Sequence, residues 1–269
     1  MTPTPSAPVY SPAQRLVAVA YGIVCHLSFA LGIAAMMAGI YTGMQFGRGP
    51  LRGGAAALFD VLLVAQFVLL HSFLLLPRGR TLLARLAPLG LGADLGTTTF
   101  ACLSSLQLLL TFAAWAPLGP VWWEPHGGLR VALSLAYAAS WLLLLKTMAD
   151  AGLGVQTGFL GWSAVARGRR PRHAPFAARG TFRYTRQPIY VAFTLTLWTG
   201  PVWSVDHLLL AVLWTLYCLV GPLLKERRYL GFHGARYARY RQLVPYWLPG
   251  RRPIDGAALD GPLAAGDGR

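Results

Sequence analysis

The sequence predicts an all-α, polytopic integral membrane protein, and three observations carry that expectation. Of its 269 residues 55% are hydrophobic and only 12% are charged, whereas a soluble domain has about a quarter of its residues charged. Several apolar runs contain no charge over the ~20 residues that a helix needs to cross the hydrocarbon core. The basic residues fall almost entirely between those runs.

Residues 1–15 hold three prolines within the first eight positions and no charged n-region, which reads as a flexible N-terminus rather than a cleaved signal peptide. Hydropathy then places spans at 16–40, 55–76, 97–116 and 129–148, a four-helix region covering 16–148. Two more follow at 189–203 and 208–224, joined by Ser204, Val205 and Asp206. The fifth is short and carries Pro201 near its end, so the count is six, or five if that segment does not cross. The spans at 189–203 and 208–224 form a C-terminal helical hairpin. A separate amphipathic helix is expected over 226–243, where Tyr229, Phe232, Tyr237 and Tyr240 alternate with arginines before Pro245 and Pro249. The Gly-, Ala- and Asp-rich remainder, 250–269, is expected to be disordered.

A formal charge of +15 would suggest nucleic acid in a soluble chain; here topology explains it. With both termini cytoplasmic, 21 of the 24 basic residues lie inside and Arg48, Arg52 and Arg130 lie outside, the asymmetry of the positive-inside rule. The expected setting is a bacterial inner membrane, with lipid headgroups as contacts and no nucleic-acid partner. Cys25, Cys102 and Cys218 each sit in an apolar run without disulfide or zinc spacing and read as small buried hydrophobes.

Several polar residues lie inside spans. Asp60 and His71, eleven residues apart, share one helix face and are expected in interfacial or hydrogen-bonded structural roles, with His26 as a packing histidine. Gln107, Ser104 and Ser105 are expected to bond across helices. The loop after the fourth span opens with four glycines in residues 151–162, a run suited to lying at the interface or bending back where backbone must approach closely. Its second part, Arg167 to Arg172, is a basic surface run suited to headgroups.

Two blocks bracket the hairpin: Arg186-Gln187-Pro188-Ile189-Tyr190, and Lys225-Glu226-Arg227-Arg228 leading to Phe232-His233-Gly234 and Tyr237-Ala238-Arg239-Tyr240. With Val244-Pro245, this region resembles the C-terminal part of the isoprenylcysteine carboxyl methyltransferase and phospholipid methyltransferase superfamily, whose pattern is Arg-His-Pro-x-Tyr-x-Gly, a hairpin, Glu-Glu, then Phe-Gly-x-x-Tyr-x-x-Tyr and Val-Pro. Upstream, His71-Ser72 with Pro77, and Leu103-Ser104-Ser105-Leu106 with Trp115-Ala116-Pro117, resemble the methanethiol S-methyltransferase and NnrU-like branch.

The resemblance implies an enzyme that binds S-adenosylmethionine (SAM) at the cytoplasmic face through residues 149–249 and transfers its methyl group to a small thiol or a lipophilic isoprenoid or lipid acceptor. Arg186, Gln187, Pro188, Tyr190, Glu226, Tyr237 and Tyr240 match or occupy its motif positions and are the candidate cofactor-binding set. A guanidinium pairs with a carboxylate, an acidic side chain faces a cation or ribose hydroxyls, and tyrosines supply walls and donors. No catalytic acid or base and no metal ligand is expected. Three positions depart from the pattern: Gln187 stands for histidine, Lys225 for the first glutamate and Ala192 for glycine. A lysine there is expected to turn toward lipid phosphates. The NnrU-like half also resembles carotenoid cis-trans isomerases, so an alternative is a haem-dependent polyene isomerase with His71, together with His26 or a cysteine, as axial ligand. A non-catalytic NnrU-like membrane partner is the third reading.

Overall fold

The structure, a computed structural model, describes residues 9–261; the flexible N-terminus expected over 1–8 and the disordered tail expected over 262–269 lie outside the described residues. Among the described residues five helices are long and apolar enough to cross a membrane. They are α1 (Pro12–Tyr41), α2 (Gly53–Leu74), α4 (Gly96–Ala113), α5 (Gly127–Asp150) and α9 (Val205–Leu243), with short helices α3 (Pro77–Leu86), α6 (Leu153–Gln156), α7 (Phe159–Ala166) and α8 (Pro188–Trp198) between them. Leu27, Leu31, Leu62, Leu142 and Val220 are exposed on these helices, as lipid-facing positions must be. This is the all-α membrane architecture that the composition predicts.

The chain falls into two compact units, one comprising residues up to Pro120 together with Gly152–His173, the other Val121–Ala151 with the chain from Ala174 onward. Hydropathy alone groups α5 with the first three spans; the structure groups it with the C-terminal part.

In the first unit Ser11 and Gln14 form a capping box that starts α1. Tyr10 donates to Asp94 at 2.7 Å, and burial together with that bond pushes its phenol up to about 12. Residues 9–15 are therefore ordered, unlike the flexible segment expected there. Gly32 of α1 packs on the Ser105 carbonyl, and small residues of this kind let spanning helices approach closely.

Helices α2 and α4 are joined by polar contacts. Gln107 Nε2 donates to Gln66 Oε1 (3.0 Å), Gln66 Nε2 to Thr111 Oγ1 (3.1 Å), and His71 Nδ1 lies 3.1 Å from Ser104 Oγ. Ser105 departs from the expected cross-helix role: its hydroxyl bonds back to Ala101 O at 2.7 Å within α4. Asp60, fully buried, accepts from Ala116 N at 2.9 Å and so caps the chain leaving α4.

The glycine-rich loop bends back into this unit as α6 and α7. Gly158, with a positive φ of 76°, lies against Ala101, Thr98 and Cys25 where a Cβ would not fit, and its carbonyl accepts from Thr98 Oγ1 at 2.7 Å. His26 Nε2 accepts from Trp162 Nε1 at 3.1 Å, a packing role. All three cysteines are free and buried.

In the second unit two short strands, β1 (Val121–Trp123) and β2 (Trp203–Ser204), pair antiparallel and tie the start of α5 to the end of the α8 segment. At the other end of α5, Asp150 accepts from Thr181 N and Thr181 Oγ1, both at 2.8 Å. These two ties, one at each end, explain why α5 belongs here. The turn between α8 and α9 lies at 199–204, earlier than the expected 204–206, because Ser204 caps α9 by accepting from His207 N at 3.1 Å. The His207 ring nitrogens lie 2.8 Å from Val202 O and Leu197 O, and the ring stacks on Trp203 at 4.3 Å.

The separate helix does not begin at 226. The last span continues as helix through Pro222 and Glu226 to Gly234, whose φ and ψ are 50° and −130°, and a second helical stretch runs from that kink to Leu243. Beyond it the chain folds back rather than trailing away: Ile254 N donates to Arg183 O at 3.1 Å, a 3-10 turn covers Gly256–Asp260, and Leu259 is buried with Tyr237, Tyr240 and Val244.

Candidate cofactor site

Proline fixes the start of the site. Pro188 opens α8 at its first position, where its missing N–H costs nothing, and it holds Gln187 outside helical geometry (φ −123°, ψ 46°). The preceding segment is clamped by the chain that follows α9: Arg186 N donates to Pro245 O (3.0 Å), Gly250 N to Tyr184 O (2.7 Å) and Thr185 Oγ1 to Trp247 O (2.9 Å). Aromatic contacts between Tyr190 and Tyr217 (6.4 Å) and between Phe193 and Trp214 (5.4 Å) set α8 along α9, which brings residue 187 to residues 225 and 226.

The two sequence blocks thereby become one network. Gln187, fully buried, donates through Nε2 to Glu226 Oε1 at 2.8 Å and accepts through Oε1 from Lys225 Nζ at 2.9 Å. Arg186 Nε stands 2.9 Å from Glu226 Oε1 as an ion pair without hydrogen-bond alignment, and its Nη1 donates to Arg241 O at 2.7 Å. Arg241 Nε lies 3.2 Å from Glu226 Oε2. Two guanidinium groups thus meet one buried carboxylate, with the Lys225 ammonium joined to it through the Gln187 amide, a positive surplus in a partly desolvated place. The Arg186 guanidinium also lies 5.4 Å from the Tyr246 ring; burial raises that phenol above its ordinary range, with Glu226 adding to the effect and Arg186 opposing it.

Lys225 does not turn to lipid phosphates as expected. Its ammonium points inward, bonded to Gln187 and standing 5.6 Å from the ring centroids of Phe182, Tyr190 and Tyr229. The reason is that a glutamine, unlike a metal or a second acid, offers an oxygen to lysine and an N–H to glutamate at once. Two of the departures from the motif are therefore one linked change. Ala192 is fully buried and its methyl is accommodated.

Tyr237 and Tyr240 are both buried, and their rings pack on Phe176 at 5.2 and 5.1 Å. The Tyr240 hydroxyl donates to Phe182 O at 2.7 Å, so it anchors the segment leading to Arg186. Sequence reasoning missed Arg241, Phe182 and Tyr246 as neighbours of this network. Tyr229 had a signal, since it lies four residues after Lys225 and so shares its helix face; Arg241 likewise follows Tyr237 by four. Phe182 had none. Among the described residues no group of three or more His, Cys, Asp or Glu side chains is placed to hold a metal ion. His71 sits in the other unit, its ring 5.1 Å from Phe67 and 4.8 Å from Phe100.

Comparison with known proteins agrees with the motif. The chain is 28% identical over 245 residues to methanethiol S-methyltransferase 1 of Bradyrhizobium diazoefficiens, an alignment covering 89% of this chain and 85% of that one. It is 29% identical over 251 residues to a methanethiol S-methyltransferase of a Pseudomonas species, covering 90% and 94%. Nurim of Xenopus laevis is 31% identical over 121 residues, 42% of each chain. No family model matches the chain, and no solved structure matches it at a significant level. Over most of its length the chain is a homologue of proteins named methanethiol S-methyltransferase, in keeping with the isoprenylcysteine carboxyl methyltransferase-like membrane superfamily that its paired motifs resemble.

Proposed function

We propose that this chain is a SAM-dependent integral-membrane methyltransferase whose acceptor is a small thiol. The observation that carries the reading is the buried network in which Arg186 and Arg241 meet Glu226 across the hairpin, in a chain whose relatives bear a thiol methyltransferase name. The residues suit the cofactor. The cationic surplus at Arg186 and Arg241 fits a ligand carboxylate, which a guanidinium can grip with two parallel bonds. Glu226 suits ribose hydroxyls or a cationic group, and the tyrosines around the network offer apolar walls. SAM supplies a methyl carbon already activated by its sulfonium.

What remains for the protein is orientation and exclusion of water. Aligning a nucleophile with a methyl group in a closed, water-poor site lowers the barrier by several kcal/mol without proton transfer. A thiol that arrives ionised needs no general base, which agrees with a network built of permanent charges and amides. Glu226 is occupied at both oxygens, so cofactor entry exchanges at least one of those contacts.

Isothermal calorimetry on the detergent-purified protein tests the reading. SAM should bind, and Arg186→Ala or Glu226→Ala should each weaken binding by about tenfold or more, the loss expected for a charge-assisted bond. Purified protein supplied with SAM and methanethiol should release the methylated thioether. Absence of SAM binding to the unaltered protein would overturn the proposal.

A further inference from the structure

Lys225 occupies a place that the fold has built for a cation. Its three surrounding rings come from separate segments: Phe182 from the 3-10 turn at Gly180–Arg183, Tyr190 from α8 and Tyr229 from α9. Each centroid is 5.6 Å from Nζ, within the range where the negative face of an aromatic ring attracts a positive charge. The remaining contact is an amide oxygen, Gln187 Oε1 at 2.9 Å, and the next group along is the Glu226 carboxylate. The groups in contact with the ammonium therefore present negative potential, while Arg228 lies near enough to repel it. Three rings around one cation is also the arrangement by which proteins take up ammonium groups that lack N–H donors, where cation–π attraction replaces hydrogen bonds.

The occupant is tethered by a flexible stem, whereas the cage walls are packed in place. A lysine side chain has a flexible four-carbon stem, so its ammonium can change partners without moving the helix that carries it. The cage walls are held: Tyr190 packs on Tyr217, Tyr229 on Phe176 and Tyr237, and the Phe182 carbonyl accepts from Tyr240.

We propose that the Phe182, Tyr190 and Tyr229 cage is a binding site for an onium cation, a sulfonium or quaternary ammonium, and that Lys225 is a tethered stand-in displaced when such a cation enters. Under the function proposed above, on which the identity of the natural occupant rests, that cation is the sulfonium of the methyl donor, and Lys225 makes the donor compete for its own site. A neutral thioether left after transfer gains nothing from the cage, so return of the ammonium favours release of the product.

The chain provides its own control, because Lys146 and Lys225 are its two lysines. The Lys146 side chain is 58% exposed and should acylate readily, whereas the caged Lys225 should acylate slowly. Acetic anhydride labelling of the unaltered protein, read by mass spectrometry as the ratio of Lys225 to Lys146 modification, is repeated with trimethylsulfonium, with SAM, with dimethyl sulfide and with sodium chloride at matched ionic strength. Trimethylsulfonium and SAM should raise the ratio saturably by about tenfold, the scale of a desolvated cation–π site; dimethyl sulfide and salt should leave it unchanged. Tyr190→Leu should abolish the rise. A ratio indifferent to trimethylsulfonium overturns the cage, even if calorimetry still finds SAM bound. A ratio that responds to trimethylsulfonium but not to SAM upholds the cage and removes the methyl donor as its occupant.

Discussion

Gln187 shows what one neutral side chain can do between charges. Its amide serves a lysine at one end and a glutamate at the other, with no exposure to water. Hydrogen bonds to charged partners are worth about 1.5–3 kcal/mol each, and leaving a buried charged group unpaired costs at least as much. Gln187→Leu, close in size, should therefore destabilise the protein by about 3–5 kcal/mol, seen as a lower midpoint of thermal unfolding in detergent. Adding Lys225→Met should restore part of the loss, since the lysine no longer lacks its acceptor. An unchanged midpoint for the single variant would show that the network contributes nothing. At this scale the motif residues were legible from spacing, but the pairing of 187 with 225 was not. Each departure from the pattern, taken alone, looks unfavourable; only the hairpin, which sets them side by side, shows that they compensate.

At the scale of elements, α9 is where hydropathy and backbone part company. The change from apolar to charged sequence at residue 225 marks a change of surroundings, not of conformation, and Pro222 does not end the helix. The real break is Gly234, whose φ of 50° with ψ of −130° is a conformation nearly closed to residues with a Cβ. No atom lies within 4 Å of where its Cβ would be, so space is not the obstacle. Gly234→Ala should cost about 1–3 kcal/mol from backbone strain alone. Gly231→Ala, three residues earlier in helical geometry and equally open, should instead stabilise by up to about 1 kcal/mol through helix propensity. Unfolding midpoints for the pair decide it: equal shifts in the same direction would mean that the break is not held by the backbone. The ordered fold of 250–261 was equally illegible, because its contacts with residues 183 and 237–244 depend on long-range packing that composition does not report.

At the scale of the whole molecule the open matter is the number of crossings, since five long helices and two cytoplasmic termini disagree in parity. An 11-residue α8 rises only ~16 Å, about half of the ~30 Å hydrocarbon thickness. The ties to α5 resolve this. Asp150 binds Thr181 at one end of α5, and β1 binds β2 at the other. The chain from 181 to 204 therefore travels the full length of α5, a 24-residue helix of ~36 Å, by combining α8 with the 3-10 turn and irregular segments that flank it. The expectation is therefore six crossings, with both termini on the cytoplasmic side as the charge asymmetry of the sequence predicts. In a bacterial host, alkaline phosphatase fused after Gly119 should be active, whereas the same enzyme fused after Arg269 should be inactive and a fluorescent protein at that position should glow. Active phosphatase after Arg269 would overturn the count of six.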